Sequence, residues 1–286
     1  MGYDIDKIIR EALEEDIVDY NGVLPGGDHT SLACIPNDKS GRARLLCKAE
    51  GVLAGVTLAE KIFKAVDAGI TIQVLLQDGT QIKKGDIAFT VEGEVKALLR
   101  AERVVLNFMQ RMSGIATNTS RYVQKIEGTR ARVLDTRKTT PLLRYFEKEA
   151  VRIGGGHNHR YGLYDMILIK DNHIDFCGGV KAALEATNNY QTKNNLNLPV
   201  EIETRSLEDI EAALQYGHFT RIMFDNFTPE RMVEAVKLVN GRYETEASGG
   251  ITLDTIRAFA ETGVDFISVG ALTHSSVSLD LSLKAY

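Results

Sequence analysis

The sequence predicts an α/β protein in two parts. An α+β sandwich of mostly antiparallel strands spans residues 1–115, and a parallel α/β barrel spans residues 116–286. Three observations predict it. From residue 132 onward, short apolar runs alternate with helical segments, which is the pattern of a parallel sheet. Each of those runs ends in a polar residue or a glycine, as strands do where they hand over to helices at the working face of a barrel. Before residue 96 the pattern differs, with strand-like runs punctuated by Asp78-Gly79 and Lys84-Gly85-Asp86, which suit tight turns.

Taken in order, Ile5, Ile8, Ile9, Ala12 and Leu13 recur at helical spacing and predict a helix over 4–16. Residues 19–41 are turn-rich, with Pro25-Gly26-Gly27-Asp28 and Pro36-Asn37-Asp38. Ala43–Cys47, Thr71–Leu76 and Ile87–Glu92 read as strands, with a helix over Thr57–Val66 among them. Leu98, Leu99, Val105, Leu106, Phe108, Met109 and Met112 predict a long linking helix over 96–127, broken at Ser113-Gly114. Arg100, Arg103 and Arg111 lie among these apolar residues, and Arg100 and Arg111 read as solvated or interfacial.

The barrel runs follow. Val133–Leu134 ends at Asp135, Met166–Ile169 at Lys170, Val200–Ile202 at Glu203 and Ile222–Phe224 at Asp225. Tyr243–Ala247 ends at Ser248-Gly249-Gly250, and Phe266–Val269 at Gly270. The intervening helices are signalled by Ser206 with Asp209, by Thr228-Pro229 and by Thr252 at their starts, and by Gly217, Gly241 and Gly263 at their ends.

The chain has 286 residues, 44% of them hydrophobic and 26% charged, which suits a globular protein with a sizeable core. A net charge of −5 argues against a nucleic-acid partner. Cys34, Cys47 and Cys177 are far apart and show no metal or disulfide spacing, which fits a reducing compartment. The first residues are acidic, with no basic or apolar leader, and no apolar run approaches the roughly 20 residues that cross a bilayer. The expectation is a cytoplasmic protein without a membrane partner.

Within that acidic chain, residues 134–173 hold seven Lys and Arg against five Asp and Glu. Three glycines, Gly154–Gly156, lead into His157-Asn158-His159-Arg160. A basic island in an acidic protein suggests a pocket for an anion. Arg137, Lys138, His159, Arg160 and Lys170 are the candidates, because guanidinium forks match carboxylate and phosphate oxygens. Glu203 and Asp225, at the ends of successive strands, could share a magnesium ion, which takes one or two protein carboxylates beside substrate phosphates. Ser248-Gly249-Gly250 and Gly270 end the last strands, where barrels hold a phosphate on backbone N–H groups. His157 and His159 alternate as metal ligands on a strand would, yet no third His or Cys has ligand spacing. His29, His218 and His274 read as ordinary polar residues. Glu201 and Glu203 point to the same side of one strand, and pattern alone does not separate them.

LDTRKTTPLLR, GGGHNHRYGLYDMILIKDNHI, EIETRSLEDI, FDNFTPE and EASGGITLDTI, in this order, resemble the motifs of the quinolinate phosphoribosyltransferases. The likeness runs from Asp28-His29-Thr30-Ser31 to Leu281-Ser282-Leu283-Lys284. It implies an N-terminal α+β sandwich followed by an incomplete, seven-stranded α/β barrel, with the last residues packing back on the N-terminal domain. It also implies transfer of phosphoribosyl from phosphoribosyl pyrophosphate to quinolinate with loss of carbon dioxide, a step of NAD biosynthesis assisted by Mg2+. By the same resemblance Thr136, Arg137, Lys138, His159 and Arg160 hold quinolinate. Lys170, Glu203, Asp225, Ser248, Gly249, Gly250, Val269, Gly270 and Ala271 form the phosphoribosyl pyrophosphate side. Lys138, Lys170, Glu203 and Asp225 are its catalytic group, with Glu203 and Asp225 holding the metal directly or through substrate and water. Glu203 lies nearer the strand end and matches the family position better than Glu201. Arg103 matches an arginine donated across a homodimer interface, and the family also builds hexamers from such dimers.

Overall fold

The computed structural model describes residues 3–286. It divides into two compact units. One comprises the chain up to Asn118 with Leu142–Gly154 and Ser276–Tyr286, and the other comprises Thr119–Pro141 and Gly155–Ser275.

The first unit holds α1 (Ile5–Glu15), α2 (His29–Cys34), β1 (Ser40–Cys47), β2 (Gly51–Val52), α3 (Val56–Val66), β3 (Thr71–Val74), β4 (Gln81–Ile82) and β5 (Ile87–Glu94). The start of α4 (Val95–Lys125), with α5 (Arg144–Ile153) and β12 (Leu281–Ala285), completes it. Asp4 caps α1 by accepting the Lys7 N–H, and Ile9 and Leu13 face inward. The sheet is antiparallel in the order β12-β1-β5-β3. Leu45 stands opposite Phe89 on one side and Leu283 on the other, so the last residues of the chain form an edge of this sheet. Phe63 of α3 meets Phe89 edge-on with centroids 6.1 Å apart, so the helix packs on the buried face of the sheet.

The long helix has no break at Ser113-Gly114. α4 runs unbroken from Val95 to Lys125, its residues to Asn118 in the first unit and those from Thr119 in the second. Both small residues serve close approach instead of a turn. A Cβ on Gly114 would stand 2.1 Å from the Val277 carbonyl oxygen. The Ser113 hydroxyl accepts the Ala54 N–H at 2.9 Å and donates to the Ala54 carbonyl at 3.1 Å. Arg111, read as solvated or interfacial, is half-buried and paired: its Nε and Nη2 donate to Oε1 of the fully buried Glu147 at 3.1 and 2.8 Å.

The second unit is built on β6 (Arg132–Leu134), β7 (Ile167–Ile169), β8 (Val200–Thr204), β9 (Arg221–Asp225), β10 (Glu244–Ser248) and β11 (Phe266–Ser268). Between them lie α6 (Asp171–Cys177), α7 (Val180–Asn194), α8 (Leu207–Tyr216), α9 (Pro229–Val239), α10 (Ile256–Ala260) and α11 (Ala271–His274). The strands are all parallel, in the order β6-β11-β10-β9-β8-β7. On the free side of β6 a single parallel bridge joins Leu134 to His157. The place of a seventh strand is thus marked by one residue, and the barrel is incomplete.

Caps at Ser206 and Thr228 form as the sequence indicates, each side chain accepting the N–H three residues on. Two ends differ. α9 stops on Asn240, whose φ of 49° takes the left-handed turn one residue before Gly241, as asparagine tolerates. α10 begins at Ile256 because the Thr252 N–H bonds to the Thr255 hydroxyl at 3.0 Å, forming a turn before the helix. Among the described residues no helix is long and apolar enough to cross a membrane.

Candidate active site

One cavity of about 730 Å3 opens where the strands of the second unit give way to their following loops. Its size suits a small-molecule site. Thr136, Arg137 and Lys138 enter it from the end of β6, Lys170 from the end of β7, and Asp225 and Asn226 from the end of β9. Ser248, Gly249 and Gly250 come from the end of β10, and Val269, Gly270 and Ala271 from the end of β11. His159 and Arg160 arrive from the loop after the Leu134–His157 bridge. Arg137, Arg160 and Lys170 therefore share one hollow.

Backbone chemistry fixes each approach. Asp135, fully buried, holds the histidine loop: its Oδ2 accepts from Asn158 Nδ2 at 2.6 Å and its Oδ1 from the His159 N–H at 2.9 Å. The Thr273 hydroxyl donates to the Lys138 carbonyl at 2.8 Å, tying the loop after β6 to α11. The Lys170 N–H donates to His173 Nδ1 at 2.9 Å, so His173 supports the start of α6. Gly249 is obligatory, since it has φ +97° and a Cβ there would stand 2.2 Å from Asn226 Oδ1 and 2.8 Å from its backbone nitrogen.

The electrostatics divide into a cationic mouth and an acidic floor. Arg137, Lys138 and Lys170 are exposed, and Arg160 is half-buried. Burial and the Arg137 charge lower the pKa of Arg160, which marks two guanidinium groups held close together. Lys170 Nζ lies 3.2 Å from Oε2 of the nearly buried Glu203. The carboxyl of Asp225 is raised by burial, an effect that the Lys170 charge offsets. Glu203 itself does not line the cavity wall.

Beneath the mouth the expected His159 meets a buried cluster in which Glu201, left unseparated from Glu203 by the strand pattern, is joined by Glu246 and Arg221, which nothing in the sequence singled out. His159 Nε2 is 2.8 Å from Oε2 of Glu201 and 3.5 Å from Oε2 of Glu246. Arg221 Nη1 donates to the same Glu246 oxygen at 3.0 Å. Both glutamates are fully buried. Burial raises the Glu201 carboxyl to about 7, and burial with the Glu201 charge raises Glu246 to about 8. His159 Nε2, Glu201 Oε1 and Oε2 and Glu246 Oε1 make no well-aligned hydrogen bond, so the 2.8 Å approach of His159 to Glu201 is a close polar contact. The donor atoms of His159, Glu201 and Glu246 lie within 4.8 Å of one another, the reach of a metal ion, although Arg221 already supplies a balancing charge. One signal for this cluster was in the sequence, because glutamates recur at every second position in β8 (Glu201, Glu203) and in β10 (Glu244, Glu246). Glu201 and Arg221 are direct partners in register.

His274 also lines the cavity, beside Gly270, although nothing in its spacing marks it. Its Nδ1 lies 2.6 Å from the Ser275 hydroxyl. Arg103 is an exposed residue of α4, in the first unit.

An incomplete parallel barrel with guanidinium and ammonium groups around one mouth, facing a Ser-Gly-Gly turn and the Asp225 carboxylate, defines an enzyme site for a phosphorylated substrate and a carboxylated one. The comparisons agree. The C-terminal domain model of quinolinate phosphoribosyl transferase matches residues 115–284 and its N-terminal domain model matches residues 28–113. The chain belongs to the quinolinate phosphoribosyltransferase family. It is 45% identical over 296 residues to the chloroplastic "Nicotinate-nucleotide pyrophosphorylase [carboxylating]" of Oryza sativa subsp. japonica, covering 99% of this chain and 78% of that protein. It is 44% identical over 257 residues to the "Probable nicotinate-nucleotide pyrophosphorylase [carboxylating]" of Bacillus subtilis, covering 90% and 87%. Among solved structures, NadC from Streptococcus pyogenes superposes with a TM-score of 0.90 at 39% identity, covering 99% of this chain and 97% of that one. The nicotinate-nucleotide pyrophosphorylase from Francisella tularensis superposes with a TM-score of 0.90 at 37% identity, covering 100% and 98%.

Proposed function

We propose that the chain transfers phosphoribosyl from phosphoribosyl pyrophosphate to quinolinate with decarboxylation. The products are nicotinate mononucleotide, pyrophosphate and carbon dioxide, in NAD biosynthesis. The observation that carries this reading is the gathering of Arg137, Lys138, Arg160 and Lys170 at one cavity in a chain whose full length matches the family.

In this reading Arg137, Lys138 and Arg160 take the two adjacent carboxylates of quinolinate, with His159 and Thr136 beside them. Planar forks suit paired oxygens, and the lowered pKa of an arginine crowded by another is relieved when a dianion arrives. Lys170, the Ser248–Gly250 turn and the Val269–Ala271 turn receive the phosphoribosyl pyrophosphate. Both ligands are then held in one orientation, which lowers the barrier by removing the entropy of encounter. Positive charge growing at the anomeric carbon is met by the Glu203 and Asp225 carboxylates. The pyridine nitrogen attacks with its own lone pair and needs no base. Once ribosylated it is cationic, and it stabilises the electron pair left on the ring carbon when the neighbouring carboxylate departs as carbon dioxide, before that carbon takes up a proton from water.

Magnesium fits the donor set. Asp225 and Glu203 offer hard oxygen ligands, and Asp225 faces the cavity with its carboxyl half-buried. They would hold the ion directly or through substrate oxygens and water, where it offsets charge on the pyrophosphate. We further propose a homodimer in which Arg103 reaches the partner's cavity. Its exposure on α4 supports that role, and dimers of this kind can assemble further into hexamers.

The test is consumption of quinolinate with phosphoribosyl pyrophosphate and magnesium, with carbon dioxide released in equal amount to nicotinate mononucleotide. Nicotinate offered instead of quinolinate gives no product on this reading. Turnover of nicotinate at a comparable rate, or no reaction with quinolinate, would reject it.

A further inference from the structure

We propose that Glu201 is a positioning residue for recognition of the pyridine diacid, fixing the tautomer of His159 and, through it, the loop that aims Arg160 into the cavity. The inference rests on the reading of Arg160 as a carboxylate-binding group.

The geometry runs outward from the barrel interior. The backbone N–H of Arg160 donates to Nδ1 of His159 at 2.7 Å. An accepting Nδ1 carries no proton, so the ring proton sits on Nε2. Nε2 lies 2.8 Å from Oε2 of the fully buried Glu201, at a depth where a polar contact with a carboxylate is stronger than in water. Glu201 stands on β8 in register with Arg221 of β9, and Arg221 bonds Glu246 of β10 at 3.0 Å. Three strands thus hold the acid that holds the imidazole.

His159 is only 9% exposed. Its ring links the acidic floor to the Arg160 backbone, and the Arg160 side chain is steadied further by donating Nη1 to the Met166 carbonyl at 3.3 Å. A histidine whose second nitrogen is held by a carboxylate has a fixed tautomer and orientation, as in metal sites, where such outer partners set how a ligand group is aimed. Here the aimed group is a guanidinium. Without Glu201 the Nε2–H form is favoured only by the Arg160 N–H and by the more distant Glu246 oxygen, and the ring that presents Nδ1 to Arg160 is held less firmly.

The experiment compares three variants in the full-length protein. Glu201→Leu removes the acceptor while filling the space, and it leaves Arg221 paired with Glu246. Its expected effect is a rise of about tenfold in KM for quinolinate, with KM for phosphoribosyl pyrophosphate within about twofold of the parent. Glu201→Gln keeps an oxygen that can face Nε2–H at the same place, and it is expected to restore quinolinate KM to near the parent value. Arg160→Ala tests the underlying reading. If Arg160→Ala raises quinolinate KM and Glu201→Leu does not, the positioning role is overturned alone. If Arg160→Ala has no effect, the reading of the cavity fails first. Should Glu201→Leu not fold, 15N NMR of the parent decides. His159 protonated on Nε2 and not on Nδ1 supports the role, and the opposite tautomer overturns it.

Discussion

Glu246→Gln should change how stability depends on pH, in a direction that the cluster sets. The Glu246 carboxyl is raised from 4.5 to about 8, first by burial and then by the Glu201 charge. Between those values the folded protein binds more protons than the unfolded chain, so stability falls as pH rises through the window. Below about pH 4.5 the acid is neutral in both states and imposes no penalty. By pH 8 the penalty reaches on the order of 5 kcal/mol for this group taken alone. Glu201, also raised by burial, and Arg221 moderate that figure, because the two acids share a proton and face one guanidinium. Glutamine has nearly the same volume and does not titrate. With it in place Glu201 loses its like-charged neighbour and has Arg221 as counter-ion. Urea midpoints of parent and variant at pH 5, 6.5 and 8 are the assay. The variant's stability relative to the parent should rise with pH, by a few kcal/mol across the range. A constant offset, or a relative loss on going from pH 5 to pH 8, would refute the assignment of a protonated acid beneath the floor.

The remaining predictions touch other parts of the chain. Arg137→Ala is expected to raise KM for quinolinate about tenfold or more while leaving KM for phosphoribosyl pyrophosphate within about threefold, and equal losses for both would count against its place. Gly249→Ala should cost about 1–3 kcal/mol of backbone strain and push Asn226 aside, raising KM for phosphoribosyl pyrophosphate more than for quinolinate. Arg111→Met takes the guanidinium from the buried Glu147, and thermal unfolding should register a loss of about 3 kcal/mol. A chelator should abolish turnover and added magnesium restore it, as a divalent ion that offsets charge on the pyrophosphate requires.

How much the sequence disclosed follows from which interactions are local. Ser206 and Thr228 were legible because a cap is satisfied within three residues. The strand ends were legible because a parallel strand is apolar throughout and stops at a polar residue, so Arg137, Lys170, Asp225 and the Ser248–Gly250 turn stood out. They do line one cavity. Ser113-Gly114 misled, because a small residue that admits the Val277 backbone looks the same in sequence as one that ends a helix. Glu246 and Arg221 escaped notice for a related reason. Their partners are distant in sequence: Arg221 of β9 pairs with Glu246 of β10, and Glu246 also meets His159 from the loop after the Leu134–His157 bridge. His274 was hidden because α11 is only four residues long and offers no periodicity to read.

The most direct measurement is a crystal structure with quinolinate and a non-hydrolysable phosphoribosyl pyrophosphate analogue. The account predicts the diacid between Arg137 and Arg160, and the sugar phosphate against the Ser248–Gly250 turn with Lys170 alongside. Either ligand bound in a separate hollow, away from these cations, would contradict it.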